Sequence, residues 1–254
     1  MIACAAASGI AALRIAPSIV GKLLNVDIVG PMLADVVTNH VSWLGRRCER
    51  IELDGVTLLL GPAEAAIAFP PAGSDPAAAV ARAVDAGARG IGCWAVAPDE
   101  ELGRRLRHLG FQDGWQPHWM GIEPGSAIDG PAAAESAECS DFLPYGSAAH
   151  RAVLGEPGVH HFAAHENGAV IGHAVLNVAG VTAGVYDMGV AARYRRRGHG
   201  LALARAAIAR AGELGCSSVT LNATGEGEPM YRGAGFVSLG LGMTWWMFPQ
   251  RPHP

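Results

Sequence analysis

A basic segment with two glycines is the stretch of this sequence whose residue types most clearly indicate chemistry. It reads Arg-Arg-Arg-Gly-His-Gly over residues 195–200, after a predicted strand (181–190) and before a predicted Ala-rich helix (201–214). Glycine lets the backbone approach a ligand closely, and a helix start adds free N–H groups and the positive end of a dipole. The segment therefore predicts a cradle for phosphate or pyrophosphate.

This prediction depends on the spacing of the two glycines, because the arginines around them are weak evidence for a phosphate site. Arginine supplies all but one of the 19 cations, so a merely solvated basic turn is an alternative, and an RNA-contacting loop is another. The net charge of −4 gives no global case for nucleic acid. No Gly-Lys-Ser/Thr follows, which excludes a Walker loop, and the third glycine of a dinucleotide fingerprint is missing.

A second segment follows the next predicted strand (217–223) and adds a tyrosine at a fixed distance. It contains Ala223-Thr224, a predicted short helix over 228–234 with Tyr231, and then Gly-Phe at 235–236. The order of strand, Arg-x-x-Gly-x-Gly, helix, strand, Ala-Thr and Tyr-x-x-x-Gly-Phe resembles the GNAT acetyltransferase superfamily. The resemblance covers residues 134–248.

A weak internal repeat indicates that the fold occurs twice. The block from Cys93 to Phe111 matches the block from Ser218 to Phe236 without a gap, and an aromatic-Met strand follows each. The first half resembles the amino-terminal domain of tandem GNAT proteins. It has no Arg-x-x-Gly-x-Gly, and Leu106 stands where the second half has its tyrosine, so we expect a degenerate copy.

The resemblance implies an α/β (α+β) GNAT fold, in which helices flank a mixed, mostly antiparallel central sheet, with two GNAT-like halves. We expect a degenerate domain over residues 1–125 and a catalytic domain over residues 131–254. The co-substrate implied is acetyl-CoA, with no metal. The residues expected to bind it are Met188, Gly189 and Val190 on the strand, Arg195, Arg196, Arg197, Gly198, His199, Gly200 and Leu201 in the loop, and Asn222 and Thr224 after it.

Two residues are expected to take part in proton transfer. Tyr231 matches the family tyrosine near the thioester sulfur, and a phenol of pKa about 10 can protonate a leaving thiolate. Attack needs a neutral amine, and Asp187, on the strand that leads to the loop, is one candidate for the base. Other candidates for the base are Glu166, His160, His161, His165 and His173.

These features predict an N-acetyltransferase that acts on a primary amine of a small molecule, such as an amino sugar, antibiotic, amino acid or polyamine. Direct attack in a ternary complex is favoured, since no Cys or Ser lies in a nucleophile motif. The alternatives are a non-enzymatic acyl-CoA-binding or regulatory module and an acetyltransferase acting on a protein or tRNA amine. No nucleic-acid partner is expected, and the protein is expected to be a monomer or homodimer.

The composition sets the remaining expectations. Half of the 254 residues are hydrophobic, enough for a sizeable core, and 34 Gly with 16 Pro indicate many turns. The five cysteines are scattered without a CxxC, which favours free thiols over disulfides or zinc. No apolar run reaches about 18 residues, so we expect a cytoplasmic protein without a membrane span. Residues 1–44 read as helix with breaks at Pro17, Gly30 and Pro31, and residues 237–248 as one strand or a hairpin.

Overall fold

The computed structural model describes residues 30–126 and 151–249, and the backbone of residues 26–29 and 134–135. The α-helices that lie wholly within these ranges are α1 (Val26–Leu44), α2 (Ala77–Asp85), α3 (Glu100–His108), α4 (His199–Glu213) and α5 (Glu228–Gly233). The strands are β1 (Glu49–Leu53), β2 (Val56–Leu60), β3 (Glu64–Ala68), β4 (Gly90–Ala95), β5 (Gln112–Asp113), β6 (His118–Ile122), β7 (Ala134–Glu135), β8 (Val159–Glu166), β9 (Ala169–Ala179), β10 (Thr182–Val190), β11 (Ser218–Ala223), β12 (Val237–Leu241) and β13 (Met243–Met247).

The strands form two mixed sheets. A six-stranded sheet has the order β1-β2-β3-β4-β13-β5, and a seven-stranded sheet has the order β12-β6-β11-β10-β9-β8-β7. Each sheet is antiparallel except for one parallel pair, β3–β4 in the first and β10–β11 in the second. Helices pack on the sheets. The predicted fold class, a mostly antiparallel α/β fold in two similar halves, is confirmed.

Each half of the chain supplies one strand to the sheet of the other half. Strand β6 lies between β11 and β12, and β13 lies between β4 and β5. Both visiting strands carry a tryptophan that is almost fully buried, Trp119 in β6 and Trp245 in β13. A cut between residues 125 and 131 would therefore separate β6 and β13 from the sheets to which they belong. The predicted domain limits stay a prediction.

The predicted single strand or hairpin over residues 237–248 is wrong. Strands β12 and β13 are consecutive in sequence but lie in different sheets. The chain crosses between them at Gly242, whose N–H donates to the Pro117 carbonyl at 2.8 Å. A hydrophobic pattern shows that a strand is buried, but it does not say which neighbour the strand pairs with.

Helix α1 lies against the seven-stranded sheet and also reaches the six-stranded one. Met32 and Val36 pack in one cluster with Trp94 from β4 and Trp119 from β6. The predicted breaks at Gly30 and Pro31 are wrong, because the helix runs through both residues. Burial of one face against two sheets compensates for the hydrogen bond that Pro31 cannot donate. Residues 1–25, with Pro17, lie outside the described residues.

Helix α4 covers the opposite face of the seven-stranded sheet, where Leu203, Ala207 and Ile208 are fully buried. No helix in the described part of the chain is long and apolar enough to cross a membrane. The cysteines within the described ranges, Cys48, Cys93 and Cys216, are free thiols, as predicted.

Candidate functional site

The parallel strands β10 and β11 separate part-way along their length. They pair over only three positions, from Thr182 with Ser218 to Gly184 with Thr220, although β10 continues to Val190. The corresponding pair of the other sheet, β3 and β4, stays paired over five positions. A gap between strand ends therefore exists in the second half, whereas the first half keeps its parallel pair closed.

An irregularity in β10 lies at this gap. Tyr186 pairs with Val175 and Gly189 with His173, so β10 has one residue more than β9 between these positions. The extra residue forms a β-bulge, in which Asp187 has a φ of 43°. A positive φ is uncommon for a non-glycine residue, although aspartate tolerates it better than most.

The bulge brings Asp187 to His173, which the sequence offered separately as candidate bases. Asp187 Oδ2 lies 3.4 Å from His173 Nε2, and the histidine side chain is almost fully buried while the carboxylate is 19% exposed. The partly exposed carboxylate of Asp187 thus contacts the buried imidazole of His173 on its inner side. Such a pair can accept a proton at the carboxylate and share it with the ring.

The loop after β10 presents backbone N–H groups at the start of α4. The N–H of Arg195 donates to the Ala192 carbonyl, and the N–H of Ala202 is the first to bond within the helix, to Gly198. Between them, the N–H groups of residues 196–201 form no backbone hydrogen bond among the described residues. Arg196 and Gly198 have positive φ values of 62° and 87°, which turn successive N–H groups toward one side.

The side chain of Arg195 ties this loop to its surroundings. Its Nε donates to the carbonyl of Val190 at 3.1 Å, and one terminal nitrogen lies 3.4 Å from Glu226. Arg195 therefore fixes the end of β10, and it lies next to the free N–H groups of residues 196–201.

Glu166, at the end of β8, faces the same loop. Its carboxylate lies 3.6 Å from Arg197 and 3.7 Å from His199. The guanidinium of Arg197 also lies over the ring of Tyr194 at 5.6 Å. Of the residues considered as bases, Glu166 is thus placed at the predicted cofactor loop, and Asp187 at the bulge.

Tyr231 reaches the gap from α5. Its side chain is buried against Phe236, with the rings edge to face, and its hydroxyl lies 3.9 Å from the Sδ atom of Met188. Burial raises the pKa of Tyr231 above its ordinary value, so the phenol stays protonated at neutral pH. The structure thus brings the predicted acid to the bulge that carries the predicted base.

Thr224 and Asn222 have different surroundings. The Thr224 hydroxyl accepts from the N–H of Gly227 at 3.1 Å, and its carbonyl accepts from the N–H of Glu228, so this residue organises the start of α5. Asn222 is half-buried in β11, where it pairs with Trp119 of the visiting strand β6. The binding of a cofactor by Thr224 and Asn222 stays a prediction.

Sequence reasoning missed the polar residues of α1 that pack on β10. Asn39 and His40 are buried between the sheets, and Tyr186 hydrogen-bonds to Asn39. Burial lowers the pKa of His40 to about 3. The available signal was the Asn-His pair, but α1 also carries Asp35, Thr38 and Ser42, so the pair did not stand out in the sequence.

Comparisons with known proteins agree with this geometry. Residues 131–236 match the family model described as acetyltransferase (GNAT) family. This match covers the part of the chain that contains the loop before α4 and Tyr231. Comparison with curated proteins gives no match.

Solved structures of the family share the fold over most of the chain. A GCN5-related N-acetyltransferase from Kribbella flavida superposes with a TM-score of 0.62 at 17% identity, over 86% of this chain and 96% of the other. One from Sphaerobacter thermophilus gives 0.52 at 14% identity, over 87% and 93%. A tandem GNAT protein from the clavulanic acid biosynthesis pathway gives 0.50 at 15% identity, over 89% and 97%. At these identities the likeness concerns the fold, and it supports two GNAT-like halves.

Proposed function

We propose that this protein is an N-acetyltransferase that transfers the acetyl group of acetyl-CoA to a primary amine of a small molecule. The observation that carries the proposal is the gap between β10 and β11, with the cradle of N–H groups at one end and the Tyr231 hydroxyl beside it. The closed β3–β4 pair supports a single cofactor site, in the second half.

The residues at the gap suit an anionic, thioester-bearing co-substrate. The N–H groups of residues 196–201, at the positive end of α4, would hold the pyrophosphate. The exposed edges of Met188, Gly189 and Val190 would face the pantetheine arm and the acyl carbonyl. Acetyl-CoA supplies an activated acetyl group when it is bound. A strand N–H near Val190 would stabilise the negative charge that develops on the carbonyl oxygen.

The proton transfers are assigned to side chains of this chain. Asp187, backed by His173, would take the proton that the attacking amine loses, directly or through a water. Tyr231 would donate its phenolic proton to the sulfur that leaves. Asp187 lies in the bulge of β10, and the hydroxyl of Tyr231 on α5 lies 3.9 Å from the Sδ atom of Met188 in the same bulge, so both groups would serve one reaction centre.

Two measurements test the proposal. The first is the shift in melting temperature with acetyl-CoA, which binding to the folded state must raise by mass action. The second is thiol release from acetyl-CoA with a panel of amino sugars, aminoglycosides, amino acids and polyamines. The net charge of −4 gives cationic amines the first place in the panel.

The possible results separate the proposal from its alternatives. Stabilisation by acetyl-CoA together with amine-dependent thiol release supports it. Stabilisation without thiol release for any small amine points to a binding module or to a protein or tRNA acceptor. If millimolar acetyl-CoA leaves the melting temperature unchanged, the cofactor assignment is wrong.

A further inference from the structure

A fully buried amide from the first half of the chain binds directly to β10. Asn39 of α1 has no exposed surface, and its Nδ2 donates to the carbonyls of Asn177 and Thr182 at 3.0 and 3.1 Å. Its Oδ1 accepts from the Tyr186 hydroxyl at 3.0 Å and from Asn177 Nδ2 at 3.2 Å. The amide therefore uses both its donor and its acceptor on strands β9 and β10, more than 130 residues away in sequence.

The strand is shaped to receive this helix. A Cβ atom at Gly184 would collide with Asn39 Oδ1 and would lie 2.7 Å from the ring of Tyr186. Any larger residue at position 184 would push α1 away from the strand. Trp43, one turn after Asn39, stacks on the Tyr186 ring with centroids 4.6 Å apart and planes 10° from parallel.

The residue held in this way directly precedes the bulge. Tyr186 is the last residue of β10 that pairs with β9 before the register shift, and Asp187 follows it with its φ of 43°. A backbone in a sparsely populated conformation persists only where its surroundings fix it. The hydroxyl bond and the ring stack fix Tyr186, so they also fix the point from which the Asp187 carboxylate projects.

We propose that Asn39 is a positioning residue for acyl transfer, which acts through Tyr186 to hold Asp187 at the bulge. The first half of the chain then has a role in catalysis without a cofactor site of its own. This inference rests on the proposed function, because it assumes that Asp187 serves the acceptor amine. It predicts an effect on turnover that is larger than any effect on acetyl-CoA binding.

The test compares Tyr186→Phe, Asn39→Ala and a control that also loses one buried hydroxyl, Thr244→Val. Thr244 lies in β13, is fully buried, and donates to the carbonyl of Trp115 at 2.7 Å, in the other sheet. For each variant we would measure kcat and KM with the best amine of the panel, Kd for acetyl-CoA, and the melting temperature.

We expect Tyr186→Phe to lower kcat about tenfold, because small displacements of a catalytic group have large effects on rate. Its Kd for acetyl-CoA should stay within about twofold, and Thr244→Val should keep kcat despite a similar loss of melting temperature. A double variant that combines Tyr186→Phe with Asn39→Ala should have the same kcat as Asn39→Ala alone, since both changes remove the same contact. Should Asn39→Ala fail to fold, the comparison of Tyr186→Phe with Thr244→Val decides the question.

The proposal is overturned if Tyr186→Phe keeps the kcat of the unaltered protein, or if Thr244→Val loses kcat to the same extent. Either result would mean that Asn39 only satisfies buried polar groups. The unaltered protein is assayed first: if it releases no thiol with any amine, the proposed function fails, and the positioning role fails with it.

Discussion

At the scale of single residues, the site combines a buried phenol with a partly exposed carboxylate. Tyr231 stays neutral because burial raises its pKa, and a neutral phenol is the form that donates a proton. Asp187 keeps contact with solvent, yet it has His173 at 3.4 Å behind it. The proposed acid and the proposed base thus have opposite environments.

Tyr231→Phe tests the acid. It removes the proton donor but keeps the ring packed on Phe236, so the fold should not change. We expect kcat to fall by about 10²-fold or more, in the range typical of a lost general acid. The Kd for acetyl-CoA, measured by calorimetry, should stay within a factor of about two. An unchanged kcat would mean that the phenol only packs at the gap.

Glu166→Gln tests the electrostatics of the loop. The carboxylate lies near Arg197 and His199, where it competes with any phosphate for the Arg197 guanidinium. We therefore expect its removal to tighten acetyl-CoA binding about two- to fivefold, a small effect because partly exposed pairs are screened. Added salt should reduce the difference between the two proteins.

Glu213→Gln is the matched control for this change. Glu213 pairs with Arg210 at 3.0 Å at the far end of α4. Its replacement by Gln changes the net charge by the same amount as Glu166→Gln, but it leaves the contacts of the loop unchanged. Equal tightening in both variants would assign the effect to overall charge and not to Glu166.

At the scale of elements, two junctions hold the halves together: helix α1 and the crossing from β12 to β13. Helix α1 packs against both sheets through Met32, Val36 and the ring of His40. At the crossing, Gly242 lies close to the visiting strand β6 and its flanking residues. Both junctions bring together residues that are far apart in sequence.

Gly242→Ala should destabilise the protein. A Cβ atom there would collide with Trp119 Nε1 and would lie 2.6 Å from the carbonyl oxygen of Ala95. We expect the free energy of unfolding in urea to fall by about 1–3 kcal/mol, as for other overpacked sites. Gly233→Ala is the control, because a Cβ atom at this position of α5 would meet nothing within 4 Å. A similar loss in both variants would show that crowding at the crossing is not the cause.

His40 should make stability depend on pH. Its pKa is lowered from 6.5 to about 3 by burial, so between these values the unfolded chain binds a proton that the folded chain does not. This contribution to stability is complete above pH 6.5 and is lost as the pH falls toward 3. Between pH 7 and pH 5 we expect a loss of about 2 kcal/mol from this group.

His40→Phe isolates the effect, because it keeps a ring in the cluster with Trp94 and Trp119. The Nε2 atom of His40 has no hydrogen-bond partner among the described residues, so the change breaks no hydrogen bond at that atom. The buried histidines His161 and His173 remain in both proteins. Parallel stability curves for the two proteins over this pH range would contradict the assignment.

At the scale of the whole molecule, the exchange of β6 and β13 makes the two halves depend on each other. Without β6, strands β11 and β12 would lose the neighbour that joins them, and without β13 the same holds for β4 and β5. Exposed edges of buried strands promote aggregation. The sequence repeat therefore describes two similar halves that need each other to complete their sheets.

Fragments of the chain test this dependence. We expect that neither residues 1–125 nor residues 131–254 alone will show a cooperative unfolding transition in calorimetry, whereas the two fragments produced together should form one complex. If residues 131–254 alone unfold cooperatively and bind acetyl-CoA, the second half is an independent domain.

The sequence by itself determined the features that depend on neighbouring residues. The Asn167-Gly168 turn has the two positive φ values expected of a hairpin. Gly198, just before α4, has the positive φ that a glycine allows, whereas the binding of a phosphate there stays a prediction. In each case the backbone conformation is set by a few adjacent residues, so a short motif carries the information.

Only the tertiary structure decided what distant segments do together. The partner sheets of β6 and β13, the contact of Asn39 with Tyr186 and the Asp187–His173 pair each join segments that the local pattern treats separately. An apolar run shows that a strand is buried, but many neighbours would bury it equally well. Packing two sheets and one helix without voids selects among those neighbours, and that choice uses the whole chain at once.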